Sequence, residues 1–151
     1  MGCKTKSNVM GTINLEKIKV TTLKRISVDG GDVLHALKYN EIDFNNFGEA
    51  YFSRIRYKAI KGWKKHNIMT MNLIVPIGNV NFVFYSEIDN EFRSEIIGEE
   101  NYCRITIPPK IWFAFQGLNK KENLLLNISN ILHDPNEVSR VNLNEFNYNW
   151  K

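Results

Sequence analysis

The densest cluster of potentially reactive side chains is the run Lys61-Gly62-Trp63-Lys64-Lys65-His66. Histidine is the side chain best suited to transfer protons near neutral pH, and neighbouring lysines could lower its pKa and stabilise an enolate. We therefore predict that His66 is a catalytic base, carried by a loop between a strand and the apolar run that begins at Met69. The alternative is a solvated turn, in which Trp63 caps the core and His66 points into water.

A basic stripe precedes this run. In a strand, alternate residues of the segment Tyr51–Ile60 share a face, which puts Arg54, Arg56 and Lys58 on one side and mostly apolar residues on the other. The guanidinium group matches phosphate geometry, so we predict that Arg54 and Arg56 line the mouth of a barrel and hold phosphates. The alternative is that the stripe is the solvated face of a strand.

The other histidines are isolated in sequence. His35 lies in an apolar predicted strand, where a structural histidine is the simpler interpretation, and His133 adjoins Asp134 in a predicted capping turn. A metal needs three or four converging donors, and the chain has no HxH pair to supply them. We therefore predict no metal and no other cofactor. The chain also lacks the glycine-rich phosphate-binding motifs and the GxSxG elbow.

Composition limits the class of protein. A chain of 151 residues with 43% hydrophobic residues can form one core. Its net charge of +4 favours anionic ligands without selecting nucleic acid. Cys3 and Cys103 offer no disulfide framework, and no apolar run is long enough to span a bilayer or to act as a signal peptide. These features predict a cytoplasmic protein that binds neither a membrane nor nucleic acid.

Short runs rich in β-branched and aromatic residues, separated by Gly, Asn, Asp or Pro, predict an all-β fold. We predict a flexible segment over residues 1–16 and one domain over residues 17–151. The sequence Gly78-Asn79 predicts a hairpin, and Asp134, as the N-cap of Pro135 to Glu137, predicts a short helical turn. The predicted strands are Val20–Val28, Val33–Lys38, Ala50–Ile60, Thr70–Pro76, Val80–Ser86, Arg93–Ile97, Cys103–Ile107, Trp112–Gly117 and Leu124–Asn130.

Several spaced motifs occur in an order that resembles proteins related to dTDP-4-dehydrorhamnose 3,5-epimerase. The resemblance covers roughly Val20 to Trp150 and is more specific for one subgroup than for the true epimerases. The motifs are Phe47-Gly48-Glu49-Ala50-Tyr51-Phe52-Ser53, Ile60-Lys61-Gly62-Trp63-Lys64-Lys65-His66, Met69-Thr70-Met71-Asn72, Ile107-Pro108-Pro109 and His133-Asp134-Pro135-Asn136-Glu137.

The resemblance implies a metal-free, homodimeric cupin-type β-barrel, or jelly roll. It also implies an epimerase or isomerase for a nucleotide-linked 4-keto-6-deoxy sugar, in the synthesis of surface polysaccharide precursors. In this family a histidine removes the proton next to the ketone and a tyrosine returns a proton from the other side. His66 matches the histidine. Lys61 and Lys64 are expected to contact the pyrophosphate or enolate, and Asn72 and Tyr85 to supply hydrogen bonds inside the barrel.

Other positions depart from the family pattern. The alignment places Phe113 where a second histidine is usual, Leu126 at the proton-donating tyrosine and Asn130 at the aspartate that orients the base. Asn72 falls near the enolate-stabilising lysine. These departures keep a second interpretation open, in which the chain is a non-catalytic cupin that binds sugar nucleotides. A third interpretation is that the chain is a structural interaction module, but this explains neither the lysine-rich run nor the motifs.

Overall fold

The computed structural model describes residues 15–151. They form two five-stranded antiparallel sheets packed as a jelly roll, together with a two-stranded ribbon. The all-β, cupin-type barrel predicted from the sequence is confirmed. The predicted flexible segment 1–16 lies outside the described residues except for its last two, which begin a 3-10 turn at Leu15–Lys17.

Twelve strands follow this turn. They are β1 (Lys19–Thr22), β2 (Arg25–Ile26), β3 (Val33–Leu34), β4 (Glu49–Arg54), β5 (Ile60–His66), β6 (Met71–Ile77), β7 (Asn79–Ser86), β8 (Glu91–Gly98), β9 (Cys103–Ile107), β10 (Trp112–Gly117), β11 (Leu124–Ser129) and β12 (Val138–Arg140). The first sheet has the order β1-β9-β6-β11-β4 and the second β12-β5-β10-β7-β8. A second 3-10 turn, Pro135–Glu137, comes directly before β12.

The apolar core lies between the two sheets, because alternate side chains of each strand point inward. Phe82 and Phe84 of β7 meet Phe113 and Phe115 of β10 in this layer, and Ile105 of β9 closes it from the other sheet. Full burial of one such side chain contributes roughly 1.5–3 kcal/mol. The core therefore fixes the two sheets relative to each other.

The C-terminal segment covers the outer face of the second sheet with aromatic rings. Phe146 packs edge-on against Trp63, with ring centroids 5.3 Å apart, and lies 4.1 Å from the ring of Tyr85. Trp63 is fully buried, and its indole N–H donates to the Leu143 carbonyl at 3.2 Å. This second apolar cluster ties the tail to β5, which carries the candidate base.

The predicted hairpin at Gly78-Asn79 is wrong. β6 belongs to the first sheet and β7 to the second, so the chain changes sheets at Gly78 instead of folding back on itself. Gly78 has φ of 81°, and a Cβ there would lie 2.2 Å from the Glu122 carbonyl oxygen. Gly78 is therefore required where the chain passes from one sheet to the other. The sequence alone did not distinguish this connection from a hairpin turn.

The predicted strand over Ala50–Ile60 is two strands, and the predicted loop over Lys61–His66 is β5. β4 ends at Arg54, and a turn in which Lys58 has φ of 61° leads to Ile60. Similarly, the predicted strand Val20–Val28 is divided into β1 and β2. The polar run was assigned to a loop because strands are usually less charged, whereas here one side of the strand faces a polar cavity.

Candidate active site

β5 carries three polar side chains on one face, of which Lys64 and His66 line the interior cavity and Lys61 is exposed. Lys64 is paired with Phe113 and Lys61 with Phe115 on β10, and a register shift separates the two pairs. Since both phenylalanines belong to the core, their partners also face inward. The shift adds one residue to β5, as in a β-bulge. It explains why Lys61 shares a face with Lys64 and His66 although strict alternation would separate them.

His66 is hydrogen-bonded through Nδ1 to Oε1 of Glu137, and both side chains are buried. Glu137 ends the second 3-10 turn, which Asp134 caps as predicted. β12 begins directly afterwards and pairs with β5, so that Val138 lies opposite His66. This strand pairing positions the carboxylate beside the imidazole.

The other carboxylate oxygen of Glu137 is also held in place. Oε2 accepts hydrogen bonds from the backbone N–H groups of Asn67 at 3.0 Å, Ile68 at 3.0 Å and Met69 at 3.2 Å. Burial alone would raise the pKa of Glu137, but the hydrogen bonds from His66 and from these backbone groups outweigh it and hold the pKa below its ordinary value. Glu137 is therefore an ionised carboxylate aimed at His66.

Burial lowers the pKa of His66 below its ordinary value of 6.5, although Glu137 opposes this effect, and the charges of Lys64 and Arg140 lower it further. The imidazole is therefore neutral at pH 7. Because the carboxylate of Glu137 accepts a hydrogen bond, the ring proton lies on Nδ1. Nε2 then keeps its lone pair, which is the state required of a base.

The first sheet supplies the opposite wall of the cavity. Tyr51 and Ser53 of β4 lie there, beside Asn127 of β11. The remaining lining residues are Lys64 and His66 from β5 and the apolar side chains of Met71, Leu73, Phe113, Phe115 and Leu125. The cavity therefore has two polar walls, one from each sheet, and is otherwise lined by apolar side chains.

The cavity is small and opens between β4 and β5. Its volume is about 30 Å³, which is about the share of one water molecule in the liquid. His66 and Asn127 are buried, whereas Tyr51 is 46% exposed and Ser53 and Lys64 are half-buried. The mouth therefore lies at Tyr51, Ser53 and Lys64. A sugar ring must enter from this side, and the side chains there must move to admit it.

Lys64 is a half-buried cation without a carboxylate partner among residues 15–151. Burial lowers its pKa, and the positive charges of Arg140 and Lys61 lower it further. The ammonium is thus poorly compensated in the free protein, so an anion formed near it gains more stabilisation than it would in water. Its place in the cavity beside His66 suits an enolate.

A second, open cleft of about 530 Å³ lies beyond Lys61. Four of its lining residues are basic: Arg54, Arg56, Lys61 and Lys121. Arg54 is paired with Glu122, which also lines the cleft, and Lys61 donates to the Arg54 carbonyl at 3.1 Å. Lys61 shares a face of β5 with Lys64 and His66, which line the small cavity.

Of the residues predicted from sequence, His66 and Lys64 line the small cavity, and Lys61, Arg54 and Arg56 line the cleft. Asn72 and Tyr85 lie elsewhere. On β6 the side chains that face the cavity are Met71 and Leu73, and those on β7 that face the core are Val80, Phe82 and Phe84.

Asn72 lies on the outer face of the first sheet. Its Oδ1 accepts from Thr106 at 2.6 Å, and its Nδ2 donates to the Asp43 carbonyl at 3.2 Å. Fully buried Arg104 holds the same covering segment through Glu41 at 2.6 Å and Asp43 at 3.4 Å. Asn72 therefore helps to attach this segment to the sheet and does not reach the cavity.

Tyr85 lies on the outer face of the second sheet. Its ring packs against Phe92 and Phe146, and its hydroxyl donates to Asn90 at 3.0 Å. Its surroundings are the aromatic cluster beneath the tail. Neither Tyr85 nor Asn72 lines the cavity.

Sequence reasoning missed Glu137, Tyr51 and Asn127. Glu137 was recognised only as a helix-turn acid, and Asn130 was aligned with the aspartate that orients the base. In the structure Asn130 instead accepts from the Thr70 N–H at 2.8 Å. Leu126, aligned with the family's tyrosine, is not among the cavity residues, whereas the next residue, Asn127, is.

Within residues 15–151 no group of three or more His, Cys, Asp or Glu side chains is placed to hold a metal ion. Nor does this part of the chain contain a helix long and apolar enough to cross a membrane. The histidines other than His66 lie apart from the cavity.

A cupin-type barrel with a buried histidine–carboxylate pair and an adjoining cationic cleft defines the class of site. No protein-family model matches the chain, and no curated protein sequence is significantly similar to it. Solved structures do match. The dTDP sugar isomerase of Desulfovibrio desulfuricans G20 is 30% identical, with a TM-score of 0.84 over 89% of this chain and 91% of that one.

More distant structures share the fold. A 3,4-ketoisomerase from Thermoanaerobacterium thermosaccharolyticum, in complex with TDP-4-keto-6-deoxyglucose, is 16% identical with a TM-score of 0.73 over 85% and 90% of the two chains. The 3,5-epimerase RmlC of Legionella pneumophila is 15% identical with a TM-score of 0.75 over 87% and 76%. On the match to the Desulfovibrio protein, the chain belongs to the family of dTDP-sugar isomerases and epimerases.

Proposed function

We propose that this protein is an epimerase or isomerase that removes the proton next to the ketone of a dTDP-linked 4-keto-6-deoxy sugar. The observation that carries the proposal is the pairing of neutral His66 with ionised Glu137 beside Lys64, a cation that has no carboxylate partner among the described residues. The similarity to a dTDP sugar isomerase and to a 3,4-ketoisomerase in complex with TDP-4-keto-6-deoxyglucose supports the substrate class. A role in making surface polysaccharide precursors, and a cytoplasmic location, remain predictions.

In the proposed reaction, Nε2 of His66 takes the proton from the carbon next to the carbonyl. The electron pair of the broken C–H bond forms a C=C bond, and the carbonyl oxygen becomes an enolate oxygen. The Lys64 ammonium stabilises this negative charge, and Glu137 stabilises the imidazolium that forms. Both groups act only on charges that develop during the reaction, which is how an enzyme lowers a barrier.

The test is NMR in heavy water with dTDP-, GDP- and CDP-linked 4-keto-6-deoxy sugars, following the proton signals at C3 and C5. Loss of one or both signals at a rate proportional to protein concentration supports the proposal. The small volume of the cavity favours the alternative, a cupin that binds sugar nucleotides without acting on them. Saturable binding with no exchange at either carbon would establish that alternative.

The proposed pyrophosphate site is the cleft that contains Arg54, Arg56, Lys61 and Lys121. Arg56→Ala and Lys121→Ala should each weaken TDP binding about 10-fold, since a hydrogen bond to a charged group is worth about 1.5–3 kcal/mol. Titration calorimetry at fixed ionic strength measures the change. Lys120→Ala is the matched control, because Lys120 adjoins Lys121 but does not line the cleft.

If Arg56→Ala and Lys121→Ala both bind TDP as tightly as the control, the diphosphate lies elsewhere. A double variant that combines Arg56→Ala with Lys121→Ala gives a second test. Raising the salt concentration should weaken TDP binding to the unchanged protein more than TDP binding to this double variant, because the variant has fewer charge pairs for salt to screen. Equal salt dependence of the two proteins would likewise place the diphosphate outside the cleft.

The exchange rate should fall at acid pH with a midpoint below 6.5. His66 can accept a proton only while it is neutral, and burial lowers its pKa from that ordinary value. Activity is therefore present above the pKa of the folded protein and is lost as the pH falls through it. Initial exchange rates from about pH 5 to about pH 8 measure the midpoint. A midpoint above 6.5 would show that Glu137 outweighs burial.

We also propose that the protein is a homodimer. β1 and β4 are the outer strands of the first sheet, so each has one edge that is not paired within the described chain. The β2–β3 ribbon exposes Ile26, Val33 and Leu34. Unpaired edges and exposed apolar side chains are typical of surfaces that another chain covers. Sedimentation equilibrium distinguishes the dimer from a monomer.

A further inference from the structure

Asn127 is a buried amide in the wall of the cavity that the first sheet supplies. It lies on β11, is 6% exposed, and lines the cavity together with Lys64 and His66 of the second sheet. A buried amide normally uses both its nitrogen and its oxygen in hydrogen bonds. The partners of these two atoms therefore show whether Asn127 serves the core or a ligand.

The nitrogen of this amide has two acceptors. Nδ2 of Asn127 donates to the Tyr51 hydroxyl at 2.9 Å and lies 3.7 Å from the sulfur of Met71, which is a weak acceptor. Turning the amide over would place its oxygen against that sulfur and would lose this second contact. The two neighbours therefore fix which end of the amide is the oxygen.

The oxygen of the amide has no partner. Among residues 15–151 no group donates a hydrogen bond to Oδ1 of Asn127, although the atom is buried. An unpaired buried acceptor destabilises a protein, and a ligand that brings a donor removes that cost. Oδ1 therefore favours a hydroxyl group in the cavity and disfavours a second acceptor, such as a ketone oxygen.

The two walls of the cavity thus favour different groups of a keto sugar. Lys64 on the second sheet is a cation, which attracts a ketone oxygen, and Asn127 on the first sheet attracts a hydroxyl. The cavity has a volume of only about 30 Å³, so the two groups must lie on neighbouring carbons of the sugar. In a 4-keto-6-deoxy sugar, C3 carries a hydroxyl, whereas C5 carries the ring oxygen and a methyl group.

We propose that Asn127 determines the specificity of the site by accepting a hydrogen bond from the C3 hydroxyl of the substrate. This inference rests on the proposed function and deepens it, because it restricts the substrate to keto sugars with a free hydroxyl next to the ketone. The same contact orients the sugar between the sheets. A sugar without oxygen at C3 leaves Oδ1 unpaired, and a sugar bound the other way round brings its ketone oxygen against Oδ1.

Titration calorimetry with sugars that cannot react tests the assignment apart from catalysis. The probes are dTDP-6-deoxyglucose and its 2-deoxy and 3-deoxy analogues, none of which has a ketone. The 3-deoxy analogue should bind about 10-fold or more weakly than the parent sugar, because it leaves a buried acceptor unpaired. The 2-deoxy analogue should bind within about 3-fold of the parent, because its C3 hydroxyl is intact.

Asn127→Leu should remove this preference. Leucine has nearly the shape of asparagine but no acceptor, so the variant should bind the parent and the 3-deoxy analogue within about 2-fold of each other. A purely structural role would weaken binding of both sugars equally and leave their ratio unchanged. Asn81→Leu is the matched control and should keep the full preference. Asn81 also has a buried Oδ1 without a partner in the described chain, but it does not line the cavity.

The outcomes separate this inference from the proposed function. If none of the three sugars binds to the unchanged protein, the proposed function itself fails. If they bind and the 3-deoxy analogue binds as tightly as the parent, only the role of Asn127 fails. A preference for the parent that Asn127→Leu retains would also overturn that role, because another group then binds the hydroxyl. Weak binding of the 2-deoxy analogue alone would overturn the assignment to C3.

Discussion

His66→Asn should reduce deuterium exchange by about 1000-fold or more while the protein stays folded and still binds TDP. A general base typically contributes about 10²- to 10⁴-fold, and among the described residues that line the cavity there is no second imidazole or carboxylate to replace it. Asparagine is preferred to alanine because its amide can still donate to Glu137, which would otherwise lose the partner on its buried Oε1. Exchange is measured by NMR, and binding by calorimetry.

The matched control for this experiment is His133→Asn. His133 is exposed and lies outside the cavity, so the same change there should leave both exchange and binding unaltered. If His66→Asn keeps the full exchange rate, the base is another group and the mechanism is wrong. If it loses TDP binding as well as exchange, His66 has a binding role and the loss of exchange cannot be attributed to proton transfer.

Much of the fold followed from local pattern. The bounds of β9 and β10 were predicted to the residue, because Cys103–Ile107 and Trp112–Gly117 are short, buried and largely apolar runs between clear turn signals. The partners of each strand were not available from the pattern. For that reason Gly78 was assigned to a hairpin, although the strands on either side of it belong to different sheets.

The base was predictable and its partner was not. His66 stands out because few residue types can carry out this chemistry and the surrounding run is rich in lysine. Glu137 is 71 positions away, and only the pairing of β12 with β5 brings it to the imidazole. In the sequence Glu137 is the third residue of a capped turn, where an acidic side chain is common. This local role explained the residue without any contact to His66.

Alternation separated the face of Tyr51 and Ser53 from the basic stripe but did not show that these two residues line a cavity. The cavity depends on the gap between β4 and β5, which are edge and near-edge strands of different sheets. Asn72 shows the opposite error. It was expected inside the barrel, whereas Met71 and Leu73 take the inward positions and Asn72 binds the outer covering segment. A shift of one residue on a strand reverses the face.

Glu137→Gln should lower the exchange rate by about 100-fold or more with little change in the affinity for TDP. The three backbone N–H groups at Oε2 require an acceptor, so the glutamine will direct its oxygen toward them and its NH₂ group toward His66. Nδ1 must then accept a hydrogen bond, and the ring proton moves to Nε2. The nitrogen that faces the substrate loses its lone pair, and a base held in the wrong tautomer costs up to about 10⁴-fold in a comparable triad.

The ¹⁵N chemical shifts of the His66 ring distinguish this mechanism from general damage to the site. The unchanged protein should carry its proton on Nδ1, and Glu137→Gln should carry it on Nε2. Glu145→Gln, on the exposed tail, is the matched control and should alter neither the shifts nor the rate. A slow Glu137→Gln variant that keeps the Nδ1 proton would show that the carboxylate acts through its charge and not through the tautomer. An unchanged exchange rate would remove Glu137 from the mechanism, because the imidazolium formed in the transition state would then need no counter-charge.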